Sequence, residues 1–174
     1  MRPVLMTFTA NFMRDSTGYD DEARQRIYPE YVKHCDVVGF DTYPIFGWNR
    51  PDMLCNVADG VSELCSIAGP QRPVYAWIET NAGSRWIDPN KQLPVTPQDT
   101  RAEVWMAIIR GATAIGYFTH SWWPEYDEFA PDHDMTAELR RLDGQITRLA
   151  PLILARPSGA ATQMSLGVDL ACHF

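Results

Sequence analysis

The stretch RPVYAWIETNAG, residues 72–83, is an apolar, aromatic-rich run that finishes on a carboxylate, Glu79. An unpaired charge buried at the end of a strand is costly. Glu79 therefore either sits at a solvated rim or is held in a cleft where its charge is used. Held in a cleft, such an acid can act as a nucleophile or face a developing positive charge. Other residues able to do chemistry stand at matching places behind further apolar runs. Asn11 follows the first run, Asp41 and Tyr43 close the second, Asn81 lies just past Glu79, and His120, Trp122 and Trp123 follow the fourth. Each has a plainer reading: Tyr43 before Pro44 also suits a structural turn, Asp41 can brace a loop, and His120 can be a satisfied structural histidine. Trp122 and Trp123 are adjacent, so in extended chain they point opposite ways; one packs and one faces a ligand, and the sequence leaves open which. The cluster Asp132, His133 and Asp134 resembles a metal site only superficially, because consecutive residues rarely converge on one ion, and a helix-capping loop explains it. No cofactor is expected.

These residues need elements to position them. Four apolar runs, 3–8, 36–43, 73–78 and 114–119, have the character of strands. Helical patterns separate them. The first, DDEARQRIYPEYVKHC, is expected to break at Pro29. In the second, Leu54, Val57, Val61 and Leu64 share a helix face. The third, TPQDTRAEVWMAIIRG, has a capping Thr96, Pro97 at the first helical position, Asp99 toward the positive end of the dipole, and Gly111 to close it. In the fourth, Leu139, Leu142, Ile146 and Leu149 recur at helical spacing. The strand starts repeat every roughly 33 to 41 residues, the size of a βα unit. Strands this continuously apolar belong to a parallel sheet covered by helices. No glycine-rich phosphate loop follows a strand, which argues against an open nucleotide-binding sheet. Polar and aromatic residues gathered behind the strand carboxyl ends fit the catalytic face of a (β/α)8 barrel. Such a barrel takes about 250 residues, so four units predict an incomplete TIM-type barrel over residues 1–155. Residues 156–174 read as a tail or the start of a further domain.

The bulk numbers bound the partners. The chain has 174 residues, 45% hydrophobic and 21% charged, with net charge −7 and pI near 5.0. That composition suits a globular domain, and the acidic balance excludes a nucleic-acid or anionic-membrane partner that needs clustered positive charge. No run of about 18 apolar residues predicts a membrane span. The four cysteines, Cys35, Cys55, Cys65 and Cys172, form no CxxC pair and read as thiols. The compartment is not legible.

The stretches DVVGFDTYPI, RPVYAWIET and AIGYFTHSWW, in this order and spacing, resemble the last strands of clan A glycoside hydrolases. The resemblance spans residues 2–155 and implies strands five to eight of a retaining (β/α)8 enzyme. It implies Glu79 as the nucleophile, Tyr43 as the phenol that hydrogen-bonds it, and Trp122 or Trp123 as the platform for the cleaved sugar, with Asn11, Asp41, Asn81 and His120 lining the substrate site. The chemistry agrees. A carboxylate beneath the anomeric carbon stabilises the charge that develops there and can form the covalent intermediate. A phenol donating to that carboxylate keeps it ionised. Strand alternation places Tyr75, Trp77 and Glu79 on one side, which would send Glu79 toward the barrel axis.

One departure from the clan pattern stands out. A retaining enzyme needs a second carboxylate about 5–5.5 Å from the first, in clan A an Asn-Glu pair ending strand four. Nothing in the first fifteen residues matches, and Asp15 is at best a distant stand-in. The chain therefore reads as the C-terminal half of such an enzyme. Four βα units also leave two raw sheet edges, which invite self-association. Two further readings compete: a non-catalytic carbohydrate-binding protein on a degenerate barrel, and a metal-dependent barrel hydrolase using His120. The second has little support, with four histidines and no HxH pair. Trp48 and Trp86, in the loops FGWNRPDM and SRWIDPNKQLP, are candidates for further subsites.

Overall fold

The computed structural model describes residues 2–14 and 18–155; Asp15, Cys172 and the segment 156–174 lie outside the described residues. Four strands, β1 (Leu5–Thr9), β2 (Val37–Asp41), β3 (Val74–Glu79) and β4 (Ala114–Phe118), form one sheet in the order β1-β2-β3-β4. Every pairing is parallel. Each strand leads into a helix: α1 (Asp21–Val32), α2 (Cys55–Ala68), α3 (Pro97–Ile109) and α4 (His133–Ile153). A doubly wound sheet reverses its strand order at a switch point and carries helices on both faces. Here the order never reverses. Helix residues Tyr28, Val32, Val57, Val61, Leu64, Val104, Ala107 and Leu142 pack in one core with the strand residues Val38, Phe40, Val74, Ala76 and Ile78, so all four helices cover one face. The protein is an incomplete TIM-type (β/α)8 barrel, four units of the eight.

Local chemistry explains the helix boundaries. Asp20 caps α1 by accepting from the Ala23 amide at 2.7 Å. Thr96 and Asp99 form a reciprocal capping box at the start of α3. Asp132 caps α4 by accepting from the Met135 amide at 2.8 Å, which is the role found for that part of the PDHD cluster. The expected break at Pro29 does not occur, and α1 runs through it. The proline removes one hydrogen bond near the last turn, while Tyr28, 5.2 Å from Phe8 and 6.1 Å from Phe12 between ring centroids, and buried Val32 anchor the helix on either side of it.

The opposite face of the sheet is the inner, barrel-axis face. Tyr75 and Trp77 lie on it edge to face at 5.0 Å. Gly39 and Gly116 on the flanking strands make room for them: a methyl at Gly39 would meet the Tyr75 ring at 2.5 Å, and one at Gly116 would meet the Tyr75 hydroxyl at 2.7 Å. Those two strand glycines are thereby explained by ring packing.

Candidate functional site

An open groove of about 1680 Å³ runs from the carboxyl ends of β1 and β2, where Asn11, Asp41, Tyr43, Trp48, Arg50 and Trp86 line it, along α1 and α2 at Gln25, Pro29, Asp59 and Glu63. Asp41, the last residue of β2, shares strand parity with Val37 and Gly39 and so leaves the core side to Val38 and Phe40. It is half-buried, and desolvation pushes its carboxyl up to about 6, with its own backbone amide partly opposing. Tyr43 packs its ring on Phe118 at 4.7 Å. Burial raises its hydroxyl far above the ordinary value, and the charges of Asp41 and Glu79 raise it further. Trp86 is 65% exposed at the rim, and the Arg85 guanidinium lies 4.4 Å over its ring.

Glu79 is the main correction to the sequence reading. Its side chain neither faces water nor lines the cleft; the residue is 0% exposed. Its two oxygens accept from the backbone amides of Ile45 at 2.9 Å and Phe46 at 2.6 Å. Those amides open the helical turn of residues 44–48, in which the Gly47 amide donates to the Tyr43 carbonyl at 2.9 Å. The first amides of a helical turn have no partner within it, and Glu79 satisfies them. Among the described residues no hydrogen bond joins the Tyr43 hydroxyl to Glu79, so the expected phenol contact is replaced by backbone.

A second acid completes this arrangement, and sequence reasoning missed it. Glu103 on α3 is fully buried, and the charge of Glu79 acts on its carboxyl. Neither Glu103 oxygen has a hydrogen-bond partner among the described residues. Burial raises Glu103 well above the usual carboxylate range, and the Glu79 charge raises it more. Burial raises Glu79 too, while Glu103 and the two amides pull it down. The signal was present in the sequence: Thr100, Glu103, Val104 and Ala107 recur on one helix stripe, and all four are buried.

The remaining predicted residues divide between bracing and display. Asn81 is 8% exposed, and its amide nitrogen donates to the carbonyls of Ala82 at 2.9 Å and His120 at 2.8 Å, tying the loops after β3 and β4 together. Gly83 completes that tie. Its φ of +105° favours glycine, its carbonyl accepts from the Trp122 amide at 2.7 Å, and an added methyl would sit 1.8 Å from the Ser121 hydroxyl. His120 stacks on Tyr126 at 6.0 Å and meets Phe118 at 5.4 Å. Of the two tryptophans, Trp122 is the packed one, against Phe46, Phe118 and Trp86; Trp123 is 55% exposed. The cleft thus brings together Asn11, Asp41 and Tyr43, and leaves Glu79, Asn81, His120, Trp122 and Trp123 outside its lining.

The strand order and the single helix layer define an incomplete (β/α)8 barrel. No family model matches the chain, and no curated protein matches it. Among solved structures it is similar to a protein from Coccidioides immitis described as of the dihydrodipicolinate synthase family, at TM-score 0.49 and 13% identity, over 82% of this chain and 40% of that one. The chain spans less than half the length of that structure, and the barrel description rests on strand order.

Proposed function

We propose that residues 2–155 are the C-terminal half of a carbohydrate-active (β/α)8 barrel, part of a glycoside hydrolase that acts on an oligo- or polysaccharide. The observation that carries this reading is Asp41, a cleft acid raised to about 6, in a lining it shares with Tyr43 and the exposed Trp48 and Trp86. Glycoside cleavage needs a carboxyl that still holds a proton near neutral pH to deliver to the leaving oxygen, and a second carboxyl to meet the charge at the anomeric carbon. Asp41 suits the first task. The indole faces of Trp48 and Trp86 suit the C–H faces of pyranose rings, and Asn11 and Arg50 offer hydrogen bonds to hydroxyls. Glu79 supports the cleft wall from behind. A nucleophilic role for it requires residues 44–48 to lift off its carboxylate.

Tryptophan fluorescence of the chain titrated with a panel of β-linked oligosaccharides tests the binding half of the proposal. Saturable quenching is expected, and W86A should weaken it by about 5–10-fold, the value of one aromatic platform. Absence of quenching by every saccharide would remove the carbohydrate reading. Asp41→Asn, placed in a polypeptide that supplies a complete barrel, should lower hydrolysis of aryl glycosides at least about 100-fold; unchanged turnover removes Asp41 from the mechanism. The enclosure of Glu79 favours a second reading, sugar binding without hydrolysis. Saturable quenching with no sugar released by the complete barrel would select it.

A further inference from the structure

Side chains tie the loop after β2 to the loop after β3, and the ties lie beside both rim tryptophans. Asn49 ends the helical turn of residues 44–48 with φ +58°, and its amide donates to the Ile45 carbonyl at 2.9 Å. Glycine is the usual residue at such a left-handed helix end, since a Cβ crowds the backbone there. Asparagine enters this region more readily than other side chains, and here its amide is used at both ends. Nδ2 donates to the Lys91 carbonyl at 3.0 Å, and Oδ1 accepts from the Leu93 amide at 2.7 Å. Gln92, between those two residues, reaches the other way. Its Nε2 donates to the Phe46 carbonyl at 3.4 Å, and its Oε1 accepts from the Gly83 and Ser84 amides at 3.1 and 2.9 Å. The turn has a fixed base, because Glu79 accepts from the Ile45 and Phe46 amides behind it. Trp48 immediately precedes Asn49, and Trp86 lies in the span 84–91 that Gln92 and Asn49 close. Both are exposed and both line the groove. Among the described residues Trp86 meets the ring of Trp122 and not that of Trp48, so their spacing is set by the backbone that these side chains hold.

We infer that Asn49 and Gln92 are positioning residues that lock Trp48 and Trp86 into one pair, and that this pair takes a chain of sugar units long enough to lie against both rings. The ligand class rests on the carbohydrate reading; the lock rests on the hydrogen bonds alone. Two rings held at a fixed separation act on one ligand as linked sites. A chain that reaches both gains the second contact without first ordering a loop. A single sugar unit touches one ring and draws nothing from the lock.

Amide hydrogen–deuterium exchange, read residue by residue in the full chain without sugar, tests the lock. Asn49→Gly keeps the left-handed backbone and removes both side-chain bonds, and it should speed exchange at Leu93 about tenfold, the value of one hydrogen bond. Asn49→Asp keeps the acceptor and should hold Leu93 close to wild type. Gln92→Ala, which leaves Asn49 in place, should speed Gly83 and Ser84 by a similar factor. Calorimetric titration with β-linked oligosaccharides of increasing length tests the ligand class. In wild type, affinity should rise about tenfold once the chain spans both rings. Asn49→Gly and Gln92→Ala should remove that rise and leave the affinity of the shortest binder unchanged. Unaltered exchange in Asn49→Gly and Gln92→Ala, or a loss at Leu93 in Asn49→Asp as large as in Asn49→Gly, would overturn the lock. An equal loss of affinity for short and long saccharides would overturn the pairing of the rings. Binding of no saccharide at all would remove the ligand class together with the carbohydrate reading, while exchange still decides the lock.

Discussion

Glu103 and Glu138 sit on consecutive helices, 0% and 7% exposed, and the protein treats them in opposite ways. Glu138 on α4 accepts from Arg101 on α3 at 2.7 and 2.9 Å and from Arg141 at 2.8 and 2.5 Å. These two guanidinium groups hold its carboxyl down at about 2. Glu103 has no cation partner among the described residues, and burial with the neighbouring Glu79 charge raises it well above the usual carboxylate range. Location explains the contrast. The α3–α4 seam opens at the surface, where the two arginine side chains are each 42% exposed. The end of β3 is closed by the 44–48 turn and α3, and only backbone amides are available there. An acid that cations reach is held ionised, whereas one enclosed without them is pushed toward its neutral form.

The largest expected effect tests the enclosed side of this contrast. Glu79→Ala leaves the Ile45 and Phe46 amides without partners and should cost about 3 kcal/mol in denaturant unfolding. A loss below about 1 kcal/mol would show that the turn does not depend on Glu79. Glu138→Gln should cost less, about 1 kcal/mol, because its arginine partners are well solvated and screen the pair.

The two sites should also differ in the sign of their pH dependence. Folded Glu103 lies above its ordinary value of 4.5, so its contribution is complete below that pH and fades as pH rises through the raised value. Folded Glu138 lies near 2 against 4.5, so its contribution is present above 4.5 and fades as pH falls toward 2. Thermal melts should therefore show Glu103→Gln flattening the decline with rising pH above 4.5 and Glu138→Gln flattening the decline as pH falls toward 2. If either variant flattened the opposite limb, the comparison would break.

The weakest expected effect compares the sheet's covered centre with its edges. Among the described residues β1 and β4 have no outer neighbour in the sheet. Apolar side chains are exposed there, Leu5 on β1 at 50% and Leu154 near β4 at 61%. We propose that copies of this chain associate through those edges. Sedimentation velocity should show reversible association at micromolar concentration, and a single monomeric species at high concentration would remove that proposal.

Much of the fold was legible in the residues. Continuous apolar runs at βα spacing identified all four strands, and Thr96-Pro97 marked the start of α3 within the stretch where it forms. Strand parity also placed Tyr75 and Trp77 correctly on a common face. It failed to forecast the surroundings of Glu79, because parity describes a strand's two faces and not the turn that folds over its end. Pro29 misled for a related reason: tertiary anchors at Tyr28 and Val32 outweigh one lost hydrogen bond. Glu103 was visible as an acid in an apolar stripe, yet its meaning required knowing which strand end that stripe covers.

By itself the sequence determined the parallel βα architecture and the end of the sheet where polar and aromatic groups collect, since both follow from local periodicity and punctuation. Tertiary structure alone decided which acid meets the cleft and which is sealed behind it. Asp41 and Glu79 both close apolar strands, and only the placement of the 44–48 turn and of α3 leaves one half-buried at the cleft and encloses the other among amides and a second acid. Charge burial depends on partners distant in sequence, and no local pattern encodes them.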